Sequence, residues 1–495
     1  MQYGNTVVPK LDDNMVTLKY RFHAPTNKDI VFRSFQTKSG LKCFCAFIDG
    51  MVNGEVINEF IIRPLIMYDK DEIDPANIIQ IHTIDDSDKI NESINGILAG
   101  DTAVFFDGME KAFICETKGF QTRSISTPVT ENTIKGSQEA FTEAIRSSTS
   151  QIRRIIKSSN LITEFITIGS INNNSCAIMY LEDIVNKKLV DEVKKRLTSI
   201  KGDFIMGSGM VEQLIEDSPL SIFPSLMSTE RPDRAAHYIS SGRVAILVDG
   251  VPFVLIAPVT ISLLLDSPEG SSQRWINGTF ERLIRIFALF CATMISGVYL
   301  ALILFHRDML PTTLLGAIMK ASTNVPFPII VEIILMELFF DLVREAGLRI
   351  PHMLGNTLSI VGALILGQSA VEANLVSPVS LIIVALSGVG GAALPDFDLS
   401  SSLRVVKLIV IIMGSVLGFL GIAVALAVFI TVLSNQNSFG VPMLSMQGIR
   451  WGASTPLFIQ LPLWKQERRA EELGTKKPIS APKISRSWTQ EEGGE

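Results

Sequence analysis

Hydrophobic and polar positions divide the chain into two parts that meet near residue 286. Before that point charged residues are dense and apolar runs are short. After it, Ile286–Phe305 and Leu408–Leu433 contain no charged residue. Each run is long enough to cross a hydrocarbon layer about 30 Å thick as a helix. The pattern predicts an α+β soluble region followed by an α-helical multi-pass membrane domain.

The soluble part contains an internal duplication. Cys43–Leu65 aligns with Asn174–Ser199, and each segment reads as an apolar strand, an acidic turn and an amphipathic helix. Further along, Ile97–Gly108 aligns with Ile239–Gly250, and both end in an Asp-Gly pair between two β-rich runs, which is a hairpin signal. The matches occur in the same order, so we expect two related α+β subdomains.

These patterns predict six regions along the chain. They are a polar N-terminal segment (1–25), a first α+β subdomain (26–125), a linking helix (126–160), a second α+β subdomain (161–280), a helical membrane domain (281–435) and a cytoplasmic C-terminal tail (436–495). In the linking helix, Phe141, Ile145 and Ile152 fall on one face. Its basic residues are expected on a solvated face: Arg146, Arg153, Arg154 and Lys157.

The C-terminal part has five apolar segments, near Ile286–Phe305, Val325–Val343, Met353–Ala370, Leu375–Leu394 and Leu408–Leu433. The second carries the carboxylates Glu332, Glu337 and Asp341, which are costly against lipid. Positive flanks before the first segment and in the tail favour the cytoplasm at both ends. This requires an even number of crossings, so we expect the acidic segment to be re-entrant or interfacial.

The third apolar segment has one helical face of small residues, which permits close contact between helices. Two interpretations stay open: packing within one subunit, or a narrow pore lined by several copies, in which Leu366 forms an apolar constriction. The candidate pore-lining residues are Gly355, Ser359, Gly362, Ala363 and Leu366.

Composition narrows the function classes. The net charge of −6 gives no electrostatic case for nucleic-acid binding. The five cysteines form no paired CxxC motif, and the five histidines have no i,i+4 pair. No sequence motif for a nucleotide, a catalytic nucleophile or a zinc-dependent enzyme is present. We therefore expect no cofactor, no metal and no enzyme activity.

A charged string stands just before the second duplicated match: Thr229, Glu230, Arg231, Pro232 and Asp233. Asp233 is expected to cap a helix from Arg234 to Tyr238 by accepting backbone N–H bonds. Either this is a structural capping turn, or the string makes a coupling contact between the soluble and membrane parts or between neighbouring subunits.

Together these residues resemble the A subunits of GerA-type spore germinant receptors, and the resemblance extends over nearly the whole chain. Ser137 and Ala140 stand where the family usually has Pro and Gly. The matching segments are Lys135–Arg146, Ser228–Asp233, Gly242–Thr260, Val325–Pro351, Leu358–Val379 and Asn437–Pro442.

The resemblance implies a subunit of a receptor in the inner membrane of a bacterial endospore, with its soluble region on the core side. Its partners would be a transporter-like B subunit, a C-subunit lipoprotein and further copies of itself, assembled into an ion-conducting ring. An accessory A-subunit-like protein of the dipicolinate-release channel has a very similar pattern. A secondary transporter is a third reading, although no inverted repeat is visible in the apolar segments.

Overall fold

The first 270 residues contain two five-stranded antiparallel sheets. The computed structural model describes residues 4–70, 74–119, 127–128, 130–131, 133, 135–267, 269–270, 273–349, 367–444 and 459–480. The first sheet contains β1 (Ile30–Gln36), β2 (Lys42–Ile48), β3 (Ile84–Ser87), β4 (Thr102–Phe106) and β5 (Ala112–Cys115). The second contains β6 (Leu161–Ile168), β7 (Asn174–Leu181), β8 (Met227–Thr229), β9 (Val244–Val248) and β10 (Val254–Ala257).

The two sheets have the same strand order, which is β1-β2-β4-β5-β3 in the first and β6-β7-β9-β10-β8 in the second. Their registers also correspond. Cys43 pairs with Phe106 in the first sheet, and the aligned Cys176 pairs with Val248 in the second. The duplication read from the sequence is therefore present in the paired strands.

Helices cover the sheets in both copies. In the first copy they are α1 (Leu11–Arg21), α2 (Gly54–Val56), a π-helical turn (Ile57–Ile62), α3 (Arg63–Met67), α4 (Pro75–Ile78) and α5 (Ile90–Ala99). In the second they are α6 (Ile145–Ile155), α7 (Lys187–Thr198), α8 (Ser208–Ile215), α9 (Pro232–Ser240) and α10 (Ile261–Leu264).

Equivalent residues begin equivalent helices. Asn53 caps the helical segment after β2, and the aligned Asn186 caps α7 by accepting the backbone N–H of Lys188. The Asp-Gly turns also match, because Asp107 accepts the N–H of Leu11 and Asp249 accepts the N–H of Ile145. By these contacts α6 is the counterpart of α1 and the first helix of the second copy.

A buried ion pair joins the two copies where their edge strands meet. The guanidinium of Arg153 on α6 binds the carboxylate of Asp29, just before β1, at 2.7 and 2.9 Å. Thr163 on β6 donates its hydroxyl to the same carboxylate, and its carbonyl accepts the N–H of Lys28. Arg153 is 1% exposed, so the expectation of a solvated residue is wrong. Its charge is neutralised across the joint instead.

A helical bundle follows the second sheet. It contains α11 (Trp275–Phe305), α12 (Thr312–Ser322), α13 (Ile329–Arg349), α14 (Pro378–Ala392) and α15 (Phe397–Asn435). Among the described residues, α11 and α15 are the helices long and apolar enough to cross a membrane by length and composition.

Glycines set the closest approaches in the bundle. A Cβ on Gly297 of α11 would lie 2.8 Å from the carbonyl oxygen of Val410, and one on Gly414 would lie 2.8 Å from that of Gly297. A Cβ on Gly390 of α14 would lie 2.7 Å from the carbonyl oxygen of Ala288. Any side chain at these three positions would force the backbones apart.

The helix α15 folds back on itself at Gly418, where φ is 62° and ψ is −142°. Near its start, Ser402 donates its hydroxyl to the carbonyl of Ile222, and just past its end Gln436 donates to that of Phe223. A straight helix would separate Ser402 from Gln436 by about 51 Å, yet both reach adjacent residues. The expected single crossing over Leu408–Leu433 is therefore a helical hairpin.

The acidic helix α13 runs along the bundle. Its first turn places Glu332 beside the start of α14, whereas Arg344, three turns later, donates to Ser400 at the start of α15. These are opposite ends of α14, because Ser400 also donates its hydroxyl to the carbonyl of Gly391 near the end of that helix. The helix packs lengthwise with Glu332 and Glu337, 1% and 5% exposed, inside the bundle. The expectation that this segment is re-entrant or interfacial stays a prediction, because it concerns the placement of the helix in a membrane.

The chain after the bundle returns to the second sheet. Ser438 donates its hydroxyl to the carbonyl of Ser225, and a short hairpin pairs Asn437–Ser438 with Val441–Pro442. Farther on, Lys476 and Lys477 pair with the acidic turn Glu182-Asp183 at 2.9 and 2.6 Å. Residues 459–480 thus wrap the second copy, and both ends of the bundle lie on its side.

We expect Arg153→Met to cost about 3–5 kcal/mol of unfolding free energy, because it leaves the Asp29 carboxylate buried without its partner. The matched control is Arg146→Met, which removes an ion pair to Asp49 whose side chains are both 50% exposed and costs under about 1 kcal/mol. Denaturant unfolding of the full chain measures both, with hydrogen exchange at Lys28 as a local reporter. Equal losses of unfolding free energy in the two variants would contradict the structural role of the buried ion pair between the copies.

Paired nitroxide labels test the hairpin in α15. Labels at the exposed Val405 and Val432 would be about 40 Å apart on a straight helix. We expect an electron-spin distance less than half of that, because the two positions lie at the same level of the two limbs. The control pair Val405 and Val416, on one limb, should give about 17 Å in either case. A distance near 40 Å for the first pair would refute the hairpin.

Candidate functional site

The charged string Thr229–Asp233 lies at the end of β8 and the start of α9. Its side chains bind the segment between β5 and α6, which we call the connecting segment because it joins the two copies. Thr229, Glu230 and Arg231 are all less than 5% exposed. The Glu230 carboxylate accepts the N–H and the hydroxyl of Thr130 and the N–H of Glu131, at 2.5, 2.8 and 2.9 Å. Its backbone carbonyl accepts the N–H of Phe141. One residue thus binds the connecting segment at two places.

Arg231 closes the same contact from the other side. Its guanidinium donates to the carbonyl of Glu131 at 3.1 Å and to the hydroxyl of Thr133 at 2.7 Å. The remaining donors form a two-point pair with Asp233 at 2.8 and 3.2 Å. This fork geometry is specific to arginine.

The expected cap by Asp233 is wrong. The helix α9 begins at Pro232, one residue before Asp233, and its N-cap residue Arg231 makes no side-chain cap bond. Proline suits this first position because it lacks the N–H that would be unpaired there. Asp233 lies inside the first turn and holds Arg231 instead.

Arg234 extends the network toward the bundle. Its guanidinium pairs with the Glu131 carboxylate, to which Thr229 also donates, and it donates to the carbonyl of Asp266 at 2.9 Å. The Asp266 carboxylate in turn binds Arg282 of α11 at 2.7 Å. We call Glu131, Thr229–Arg234, Asp266 and Arg282 the hub. It runs without a break from the connecting segment to the first helix of the bundle.

The contacts of the hub fix the relative positions of the segments that it joins. Its charges are paired and mostly shielded from water, and its described residues offer no nucleophile next to a base. Within the described ranges, no group of three or more His, Cys, Asp or Glu side chains could hold a metal ion. Removing one partner of such a pair is costly, so the hub holds three segments in one arrangement.

A second contact between the subdomain and the bundle is acidic. Burial, together with the nearby Asp398, Glu216 and Asp396, raises the pKa of Glu212 on α8 to about 8. Asp398 belongs to the first turn of α15 and Asp396 caps that helix. The start of the last hairpin therefore carries negative charge toward α8.

Glu337 forms a buried ion pair inside the bundle. Its carboxylate binds the ammonium group of Lys407 on α15 at 2.5 Å and accepts the hydroxyl of Ser296 on α11 at 2.8 Å. Three helices therefore meet at one carboxylate. The sequence analysis did not select Lys407, because the apolar run Leu408–Leu433 begins one residue after it. An ionisable side chain next to a membrane-length apolar run is itself an indication of function.

The other two acidic candidates have different surroundings. Glu332, 1% exposed, accepts the N–H of Ser377 and the hydroxyl of Ser380 at the start of α14. Asp341 is half-buried and lies near Arg344. The three carboxylates are therefore not gathered in one place.

The expected pore-lining residues lie outside the described residues, so the pore face stays a prediction. They are Gly355, Ser359, Gly362, Ala363 and Leu366.

The pair in the bundle gives a direct test. We expect Glu337→Gln to lower the melting temperature of the purified chain strongly, because the loss of one partner leaves the buried Lys407 ammonium unpaired, at about 3–5 kcal/mol. The double change Glu337→Gln with Lys407→Met should recover most of that stability, since no charge is then buried. If the double variant is as unstable as the single one, the ion pair is not the cause.

Comparisons with known proteins place the chain in a family. The family model for the Bacillus/Clostridium GerA spore germination protein matches residues 16–472. Spore germination protein KA of Bacillus subtilis is 35% identical over 492 residues, which cover 97% of this chain and 90% of that protein. Spore germination protein A1 of the same organism is 41% identical over 357 residues, 72% of this chain and 74% of that protein.

An uncharacterised membrane protein of Bacillus subtilis, YfkQ, is 35% identical over 469 residues, 94% of this chain and 91% of that protein. Among solved structures, the N-terminal domain of the A subunit of the Bacillus megaterium spore germinant receptor GerK3 is 30% identical, with a TM-score of 0.39, over 51% of this chain and 96% of that one. With a family model matched from residue 16 to residue 472, this chain belongs to the GerA family of spore germination proteins.

Proposed function

We propose that this chain is the A-type membrane subunit of a nutrient-germinant receptor in the spore, and that it transmits the signal through the hub. The observation that carries the proposal is the unbroken set of buried contacts from Glu131 in the connecting segment to Arg282 on α11. A shift of the two soluble copies relative to each other would have to move α11 or break these pairs. The family membership supports the receptor role.

In the proposed topology the bundle spans the inner membrane of the spore, and the soluble copies lie on the core side. Both ends of the bundle contact the second copy, through Arg282 at the start and Ser438 after the end. The number of crossings is then even, as the hairpin at Gly418 supplies one more pass than the apolar runs suggested. Basic residues at both ends, among them Arg274, Arg285 and Lys465, favour the core side.

In this proposal the partners are a B-type transporter-like subunit, a C-type lipoprotein and further copies of this chain. The B-type subunit would hold the nutrient, and the copies of this chain would form the ion-release path, with the small face of residues 355–366 as its expected lining. Names of the relatives as spore germination proteins support the setting. The proposed role needs no cofactor and no catalytic group.

Removing one ion pair of the hub by substitution and measuring germination of the spores tests the proposal. Glu131→Gln keeps the shape of the side chain but removes the charge that pairs with Arg234. We expect nutrient-triggered germination to slow by roughly tenfold or more, within the range of ordinary coupling energies. Glu139→Gln is the matched control, because it removes a half-exposed pair to Arg154 in the same connecting segment. Immunoblots must show equal amounts of each protein.

Deletion of the gene provides the second arm. Spores without this chain should lose the response to one class of nutrient. If nutrient responses stay intact while dipicolinate release alone changes, the chain is instead the accessory relative of the dipicolinate channel. If Glu131→Gln spores germinate at the control rate with normal protein levels, signalling does not run through the hub.

A further inference from the structure

Four oxygen-bearing groups converge in the interior of the bundle at the end away from the soluble copies. They are the Glu332 carboxylate on α13, the hydroxyls of Ser377 and Ser380 at the start of α14, and the phenol of Tyr299 on α11. Glu332, Ser377 and Ser380 are 0–1% exposed and Tyr299 is 6% exposed. The cluster is thus shielded by three helices.

The hydrogen bonds within the cluster leave part of it unsatisfied. Ser377 donates its hydroxyl to Ser380 at 2.9 Å, and Ser380 donates to the Glu332 carboxylate at 3.0 Å. The Tyr299 hydroxyl faces both serines and the carboxylate. It lies within reach of the two serine hydroxyls, yet it forms no hydrogen bond of ordinary geometry with any residue that the structure describes. A buried polar atom without a partner costs free energy, so its retention calls for an explanation.

The charge of the cluster is also incompletely balanced. In contrast to Glu337, which has Lys407, no basic side chain of the described residues forms an ion pair with Glu332. The positive end of the α14 dipole lies at Ser377 and amounts to about half an elementary charge. A carboxylate taken out of water needs more compensation than that.

We propose that the cluster is a binding site for one alkali-metal cation, with Glu332 as the charged ligand and Tyr299, Ser377 and Ser380 as neutral oxygen ligands. Hard cations prefer oxygen donors, and a single carboxylate matches a single positive charge. The three ligand-bearing helices are α11, α13 and α14, so occupancy ties them together. A divalent ion would carry twice the charge of the single carboxylate, and the softer transition metals prefer nitrogen or sulfur ligands.

This inference does not depend on the receptor role, because binding is measured on the purified full-length chain without nutrient or partner subunits. The probes are ⁸⁶Rb⁺ and ²²Na⁺ in equilibrium binding, at constant ionic strength maintained with N-methylglucamine. We expect saturable binding of about one ion per chain, consistent with the single carboxylate. The same ion should raise the melting temperature, since a ligand stabilises the state that binds it.

Two variants locate the ion. Glu332→Gln should abolish saturable binding of both ions. Tyr299→Phe keeps the ring and removes only the hydroxyl. It should weaken ion binding about tenfold, which corresponds to roughly 1.4 kcal/mol. The control is Glu372→Gln, an exposed carboxylate just before α14, which should bind as the unmodified chain does.

The proposal is overturned if neither ion binds saturably to the unmodified chain, which would mean that the carboxylate only caps α14. It is equally overturned if Tyr299→Phe and Glu332→Gln, both folded by gel filtration and melting, bind as tightly as the control. Tyr299→Phe keeps the test meaningful even where the glutamate change disturbs folding, because it alters no packed volume. Nutrient responses that stay intact in spores without this chain would count against the receptor role alone, whatever the ion-binding measurement gives.

Discussion

The pairing of Arg234 with Glu131 is the contact on which the arrangement of the soluble part and the bundle depends. Two guanidiniums, Arg231 and Arg234, are taken out of water at the end of β8, and each must find acceptors there. The acceptors come from the connecting segment on one side and from Asp233 and Asp266 on the other. Desolvation thus makes the segments interdependent, because none can leave without exposing an unpaired charge to an apolar interior.

The same requirement explains the joints elsewhere in the chain. Arg153 and Asp29 connect the two duplicated copies, and Lys407 and Glu337 connect the helices of the bundle. Each pair joins elements that are far apart in sequence, so each fixes one relative placement of its elements. Such pairs contribute specificity of arrangement more than net stability, since well-packed apolar residues of similar volume could be equally stable. In a protein proposed to signal, a defined arrangement that a modest free energy can shift is the useful property.

Glycine supplies the complementary constraint in the bundle. Gly297 and Gly414 bring α11 and the first limb of α15 into backbone contact, and Gly418 permits the reversal between the limbs. A φ of 62° with a ψ of −142° is open to glycine and strained for other residues. The reversal lets one long apolar run make two passes, and it brings Ser438 back to the second copy. Close helix packing and the return of the tail therefore depend on the same residue type.

By itself, the sequence determined the duplication, the Asp-Gly turns and the family, because these features depend on local patterns that recur at fixed spacing. It also marked Thr229–Asp233 and the three carboxylates as unusual. Only the tertiary structure decided what those residues contact. Arg153 was expected on a solvated face and Lys407 was missed, because a charge carries no local sign of a distant partner. The run Leu408–Leu433 read as one crossing, since hydropathy averages over Gly418 and does not record a backbone reversal. Arg153 and Asp29 are 124 positions apart in sequence, and Lys407 and Glu337 are 70 apart. Pairing partners and chain direction therefore depend on distant residues, and only packing determines them.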